Sequence, residues 1–471
     1  MKKFLVALAL VGLVRFGAAQ VLQAEQVDRH LGTLQAYVQD TSGFSYQLFD
    51  SVAMPGALVY RVKMISGTWL DPAVVDQPEW WHWLDIVVPE ERDRATALLF
   101  IGGGSTHDTI WEIDSLNVAK AIQTRSVVAH ISNIPFQPLT MIQSDTIARY
   151  EDDLIAYGWD QFLSRGAREE DAGWLARFPM TRAVVRGMDV IQELTGKTAV
   201  PVTRFFISGA SKRGWTTWTT AAVDDRVIGM APLVIDLLNL EESFNHHYRV
   251  YGAWSPAVSE YEQHQIMDWI GSSEFEALMD YVEPYQFREV FDMPKLIVNG
   301  TIDEFFATDS WQFYYDDLPG EKYLQYVPNG NHGLAGSYNT PNVFSFYDHL
   351  IHGWAMPSFD WEVTPEGFEV RVDPAAPVEL SLWQITNPKA RDFRIWEVGQ
   401  NWEKTVLAPN ESGIYVIEAP QGEGYTASLI EATFNPGTDR ELIFTTGTLV
   451  RPDRYPFPDF KSSSPRGTMD R

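Results

Sequence analysis

No cysteine occurs among the 471 residues. That absence excludes disulfides, a thiol nucleophile, a lipidated cysteine behind a leader and any thiolate metal site. The chain must therefore be held by its core, which this length permits. Basic residues are scarce too: 36 Lys and Arg stand against 63 Asp and Glu, a net charge of −27. Without a basic stripe to neutralise phosphates, nucleic acid is excluded as a partner, and docking on an anionic membrane is disfavoured. Beyond the first twenty residues no apolar run is long enough to cross a bilayer, so no integral membrane segment is expected in the mature protein. Internal repeats are missing. So is any metal-ligand spacing: His246 and His247 are neighbours that point apart, and His349 and His352 sit in an aromatic-rich helical stretch where packing explains them. No cofactor and no metal are expected.

What is present begins with a leader. Lys2 and Lys3 precede an apolar run from Phe4 to Val14, followed by Gly17, Ala18 and Ala19. This is the pattern of a signal peptide cut near Ala19, which predicts a periplasmic or extracellular protein. The chain is also rich in aromatics, with 17 Trp. Most belong in a core, and such a supply also suits an apolar pocket.

From Ala57 onward strand-like and helix-like segments alternate. Ala57–Ser66 and His82–Val88 read as a paired hairpin. Ala95–Ile101, Ser126–Ile131, Arg204–Ile207, Gly229–Ile235, Lys295–Val298 and Lys322–Val327 read as strands, most of them continuous apolar runs of the buried kind. Met180–Thr195 reads as an amphipathic helix, with Val184, Met188 and Ile191 on one face. The alternation predicts a mostly parallel sheet of about eight strands with helices on both faces, the α/β-hydrolase layout, over residues 20–357. Helical inserts at about 138–179 and 239–293 are placed where lids sit. After Pro357 the period changes to two, as in Phe368/Val370/Val372 and Val378/Leu380/Leu382, which predicts an antiparallel β-sandwich of about seven strands over 358–450. The tail, 451–471, is rich in Pro, Ser and charge and reads as loose.

The chemistry is concentrated at strand ends. A buried strand runs through Gly209-Ala210 into Ser211, and a helix-compatible stretch follows. A nucleophile elbow needs small residues around a strained turn. Its second glycine is Gly214 here, with Arg213 in the usual place, which leaves an ordinary strand-to-helix turn as the alternative. Asp303 follows the strand from Lys295, and His332 follows the strand from Lys322. Serine, acid and histidine thus stand in the chain order this fold uses. Ser211 is the expected nucleophile, His332 its base and Asp303 the carboxylate that orients the base. Asp236, after the preceding strand, is a rival acid. The backbone N–H of Lys212 is one expected oxyanion donor, and Gly103 or Gly104 is the other. A simple tight turn is the lesser alternative for Gly102-Gly103-Gly104, which lacks the Lys-Ser/Thr pair of a phosphate loop.

The motifs Trp80-Trp81-His82-Trp83-Leu84-Asp85, Gly102-Gly103-Gly104, Gly209-Ala210-Ser211-Lys212-Arg213-Gly214, Asn299-Gly300-Thr301-Ile302-Asp303-Glu304-Phe305-Phe306 and Asn329-Gly330-Asn331-His332 form a set. As a set they resemble the PhoPQ-activated pathogenicity-related family, exported bacterial proteins with an α/β-hydrolase core, from roughly Glu25 to Leu449. The resemblance implies the fold, the triad and a link to regulation and virulence, and it implies no substrate. The expected activity is acyl transfer on a small-molecule ester or a peptide. The alternative is an exported signalling or binding protein on the same scaffold. A third reading, carbohydrate binding through Trp383, Trp396 and Trp402, competes with their use as packing.

Overall fold

The computed structural model describes residues 30–334, 339–420 and 422–469. The leader assigned to the first nineteen residues lies outside the described residues. Among the described residues nine strands make the central sheet: β1 Ser45–Met54, β2 Ala57–Thr68, β3 Glu79–Pro89, β4 Thr96–Ile101, β5 Val127–Ile131, β6 Arg204–Ala210, β7 Val227–Leu233, β8 Lys295–Gly300 and β9 Lys322–Val327. Their order across the sheet is β1-β2-β3-β5-β4-β6-β7-β8-β9. The first four in that order pair antiparallel. From β5 to β9 every neighbouring pair is parallel. This is the α/β-hydrolase sheet, with β1 added at its antiparallel edge. β4, β6 and β8 are buried on both faces, which is why each is a run of apolar residues rather than an alternation.

Parallel neighbours need long crossovers, and helices supply them. Among the described residues these are α1 Ser115–Thr124, α2 Glu151–Ser164, α3 Arg177–Thr195, α4 Lys212–Val223, α5 Leu240–Tyr251, α6 Ser259–Gln263 and α7 Ser273–Val282, and α8 Asn339–His352 follows the last strand. α3 is buried around most of its circumference, so its apolar spacing runs beyond a single stripe. α4 carries four buried threonines, Thr216, Thr217, Thr219 and Thr220. Thr216 and Thr217 donate to the carbonyls of Lys212 and Arg213 one turn back, which satisfies hydroxyls that would be costly to bury bare.

The C-terminal residues form two antiparallel sheets. One holds β10 Phe359–Val363, β11 Gly367–Val372 and β14 Ile414–Glu418. The other holds β12 Val378–Asn387, β13 Glu403–Val406, β15 Tyr425–Phe434, β16 Leu442–Thr445 and β17 Leu449–Arg451. Phe368, Val370 and Val372 of the first share one buried cluster with Leu380, Leu382, Ile430, Ala432 and Phe434 of the second. β16 abuts the last strand of the central sheet, where the Tyr326 N–H donates to Thr445 Oγ1 at 2.8 Å. Trp311 Nε1 donates to the Thr448 carbonyl at 2.9 Å across the same junction.

The tail differs from expectation: it is pinned, not loose. Phe460 packs on Tyr248 and Trp254, and its N–H donates to Asn245. Tyr455 meets His246, Ser462 and Arg466 bond to Asp268, and Thr468 bonds to Glu274. Most of its residues stay exposed, while several of its polar groups bond to the helical insert.

Candidate active site

β6 ends at Ala210 and α4 begins at Lys212, so Ser211 is the single residue that turns strand into helix. Its φ is +58° with ψ −124°, a conformation that non-glycine residues rarely occupy and that lifts the side chain off the sheet. The turn needs both flanking glycines. A Cβ on Gly209 would lie 2.7 Å from the Arg213 carbonyl oxygen, and one on Gly214 would lie 2.8 Å from that of Leu233 on β7. The late position of Gly214 is therefore a matter of helix-to-strand packing.

The three chain segments converge. His332 Nε2 lies 2.9 Å from Ser211 Oγ, and His332 Nδ1 lies 2.9 and 3.1 Å from the two carboxylate oxygens of Asp303. Asp303 is buried and also accepts the Phe305 N–H at 2.7 Å, which fixes its rotamer. Phe305 in turn covers the imidazole, ring centroids 4.0 Å apart. Glu304 accepts the His332 N–H at 2.8 Å and so holds the loop on which the histidine stands.

Asp236 is elsewhere. It is fully buried and accepts from the hydroxyls of Tyr314 and Tyr326. Burial pushes its carboxyl up to about 8 against the pull of those two donors. His332 bonds instead to Asp303.

The glycine loop after β4 lies beside the elbow, since Ile101 pairs with Gly209. Gly102 donates to Ile131 and accepts from Ile134, and the Gly103 carbonyl accepts from Asn133. A Cβ on Gly103 would run into the Arg213 guanidinium, which would have to shift from its bonds to Ile134 and Glu151. Gly104 has φ +152°, which disfavours other residues.

A cavity of about 30 Å³ opens beside Ser211. Trp159, Trp215, Leu240, Phe244, Phe305 and Phe306 line it, and Asp152, Arg177 and Lys212 stand at its polar end. Both helical inserts contribute, α2 through Trp159 and α5 through Phe244. They are tied to each other by the Tyr261 hydroxyl on Asp152 and by His264 on Asp153.

Lys212 brings its charge as well as its amide. Its Nζ lies 2.9 Å from Glu151 Oε2 and 2.9 Å from Asp152 Oδ2, while Arg213 also pairs with Glu151. Sequence reading passed over this acidic group. Its signal was Glu151-Asp152-Asp153 opening a helix in a chain whose elbow carries Lys212-Arg213.

Of the remaining candidates, His246 bonds to Asp309 at 2.9 Å and to Tyr455 at 2.8 Å. His349 and His352 each bond to a carbonyl one turn back in α8. Among the described residues no group of three or more His, Asp or Glu is placed to hold a metal ion. Trp402 is buried, Trp383 half-buried and Trp396 exposed. No helix of the described residues is long and apolar enough to cross a membrane.

Comparison with known proteins adds a family match: the model described as "PhoPQ-activated pathogenicity-related protein" covers residues 34–394. Autocrine proliferation repressor protein A of Dictyostelium discoideum is 32% identical over 436 residues, 84% of this chain and 86% of that one. Among solved structures, an acetyl xylan esterase from Paenibacillus sp. R4 aligns with TM-score 0.48 and 12% identity, over 69% of this chain and 94% of its own. Acetyl xylan esterase 1 from Thermoanaerobacterium sp. JW/SL YS485 aligns with TM-score 0.45 and 14% identity, over 66% and 88%. The fold assignment rests on the strand order above, not on these distant likenesses.

Proposed function

Starting from a chain that belongs to the PhoPQ-activated pathogenicity-related family, we propose that it is a serine hydrolase working by acyl transfer. One observation carries this reading: Ser211, held at φ +58°, has its oxygen 2.9 Å from His332 Nε2. A histidine nitrogen at that distance can take the hydroxyl proton as Oγ attacks a carbonyl carbon. Asp303 on the far nitrogen selects the tautomer whose Nε2 is free to accept, and stabilises the imidazolium that forms. The tetrahedral oxyanion is met by the Lys212 N–H and by Gly103 or Gly104. The Gly102 and Gly103 carbonyls accept from Ile134 and Asn133 on the β5 side, and in a trans peptide the next N–H points opposite the carbonyl, so the Gly103 and Gly104 amides face away from β5. The imidazolium then protonates the departing alcohol or amine, and water activated by His332 releases the acyl group.

The substrate class is a carboxylic ester or a peptide. With the roof as it stands, the 30 Å³ beside Ser211 suits a short acyl group, so acetyl esters should outrun butyryl esters. Export through the leader near Ala19, and action in the periplasm or outside the cell, belong to the same proposal.

A second reading has its own support. The relative from Dictyostelium is named for autocrine repression of proliferation, which makes an exported signalling protein on this scaffold the rival. One experiment separates them. A fluorophosphonate should label the wild-type protein, and Ser211→Ala should lose both the label and ester turnover, by roughly 10⁴-fold or more. Label retained in Ser211→Ala would remove the nucleophile assignment. No label on folded wild type would favour the signalling reading.

A further inference from the structure

Glu151 stands at the first position of α2 with φ +48°, in the left-handed region that a glutamate enters only when its surroundings hold it there. What holds it is Gln137. The Glu151 N–H donates to Gln137 Oε1 at 2.6 Å, and Gln137 Nε2 returns to Glu151 Oε1 at 2.7 Å. The same Nε2 also donates to the Gly104 carbonyl at 2.9 Å. On the opposite side Glu151 Oε2 meets Lys212 Nζ at 2.9 Å, and Oε1 accepts from Arg213. Arg213 in turn donates from Nε to the Ile134 carbonyl at 2.6 Å, and the Ile134 N–H bonds to Gly102.

One carboxylate thus joins the residue after the nucleophile to the glycine loop by two routes, Gln137 to Gly104 and Arg213 through Ile134 to Gly102. These are the two backbone segments whose amides have to point at one oxygen. We propose that Glu151 is a positioning residue for the oxyanion hole, fixing the Lys212 amide and the Gly103–Gly104 amides relative to each other. The proposal rests on the acyl-transfer reading above.

The chemistry fits the task. Oxyanion donors act by being in place before charge develops, so a brace that stops them reorganising acts on the transition state and hardly on ground-state binding. The brace must also keep its charge. Burial works against that, but the Arg213 and Lys212 cations hold the Glu151 carboxyl down at about 2. An acid-rich chain otherwise repels its own carboxylates. Here Glu151 and Asp152 are gathered beside the two basic residues of the elbow.

The test compares Glu151→Gln with wild type on an acetyl ester and on an arylboronic acid, which becomes tetrahedral when Ser211 adds to it. Removing the charge should lower kcat by about 10²-fold, with KM within about threefold and boronate affinity falling in step with kcat. Glu418→Gln removes an exposed carboxylate on β14 of the C-terminal sheet and should leave all three values unchanged. If Glu151→Gln does not fold, Gln137→Ala cuts the Gly104 route and should give the same split between kcat and KM. A folded Glu151 or Gln137 variant with wild-type kcat and boronate affinity would overturn the proposal, as would a loss confined to KM. Wild type that is neither labelled by a fluorophosphonate nor active would instead bring down the hydrolase reading, and this one with it.

Discussion

The carboxylate of Asp236 accepts the hydroxyl hydrogen of Tyr326 in a place that water does not reach. Burial raises the acid to about 8, far above an unfolded aspartate. The folded state therefore holds a proton that the unfolded chain gives up near pH 4. Stability from this group is fully present below that pH and is lost as pH rises towards 8. Wild type should resist urea better at pH 5 than at pH 8, and Asp236→Asn should show a smaller difference between the two. An unchanged difference in the variant would mean that Asp236 is ionised throughout.

Asp303 touches His332 with both oxygens, so replacing one of them should not spare the reaction. Asp303→Asn presents an amide where the imidazole needs an acceptor and favours the wrong tautomer. Turnover should fall by roughly 10⁴-fold while fluorophosphonate labelling slows without vanishing. Stopped-time labelling of both proteins measures this directly.

Gly214 is the late glycine of the elbow, and its Cα faces the Leu233 carbonyl. Gly214→Ala should push α4 away from β7, costing about 1–3 kcal/mol and displacing Ser211. Urea melts and ester turnover should both decline. An active variant of unchanged stability would show that the helix can shift freely.

These sites were not equally legible. Ser211 and Asp303 were readable because each follows an apolar strand buried on both faces, whereas His332 follows Lys322–Val327, a run broken by Gln325, and was readable from its place between glycines after the last strand. β1 was missed because it is an edge strand whose ten residues are mostly exposed, so neither alternation nor a run marks it. Glu151 was missed for a different reason. Its role depends on Gln137, Lys212 and Arg213, which fold to meet it from two other segments, and no local pattern encodes that meeting. The tail misled because composition reports what can be solvated, and its polar groups found partners in the insert.

Removing residues 452–471 should therefore cost more than a disordered end would. The Tm should fall by at least about 3 °C, and limited proteolysis should cut first within 239–293, whose helices lose Phe460, Ser462 and Thr468. Equal stability and an unchanged cleavage pattern would make the tail dispensable.

The tail also sets an order of events. Asn245 and Asp459 meet across 214 residues of chain, and Thr468 reaches Glu274 across 194. Contacts so distant in sequence close large loops, and the entropy of closure is met before the contacts return anything. The central sheet and its strand-end loops, built from nearer partners, have every reason to assemble first. The tail contacts and the strand-end contacts are thus separable: a chain ending at Arg451 loses the fastening of the 239–293 helices and keeps the bonds that join Ser211, His332 and Asp303, so it should accept bulkier esters than the full chain does.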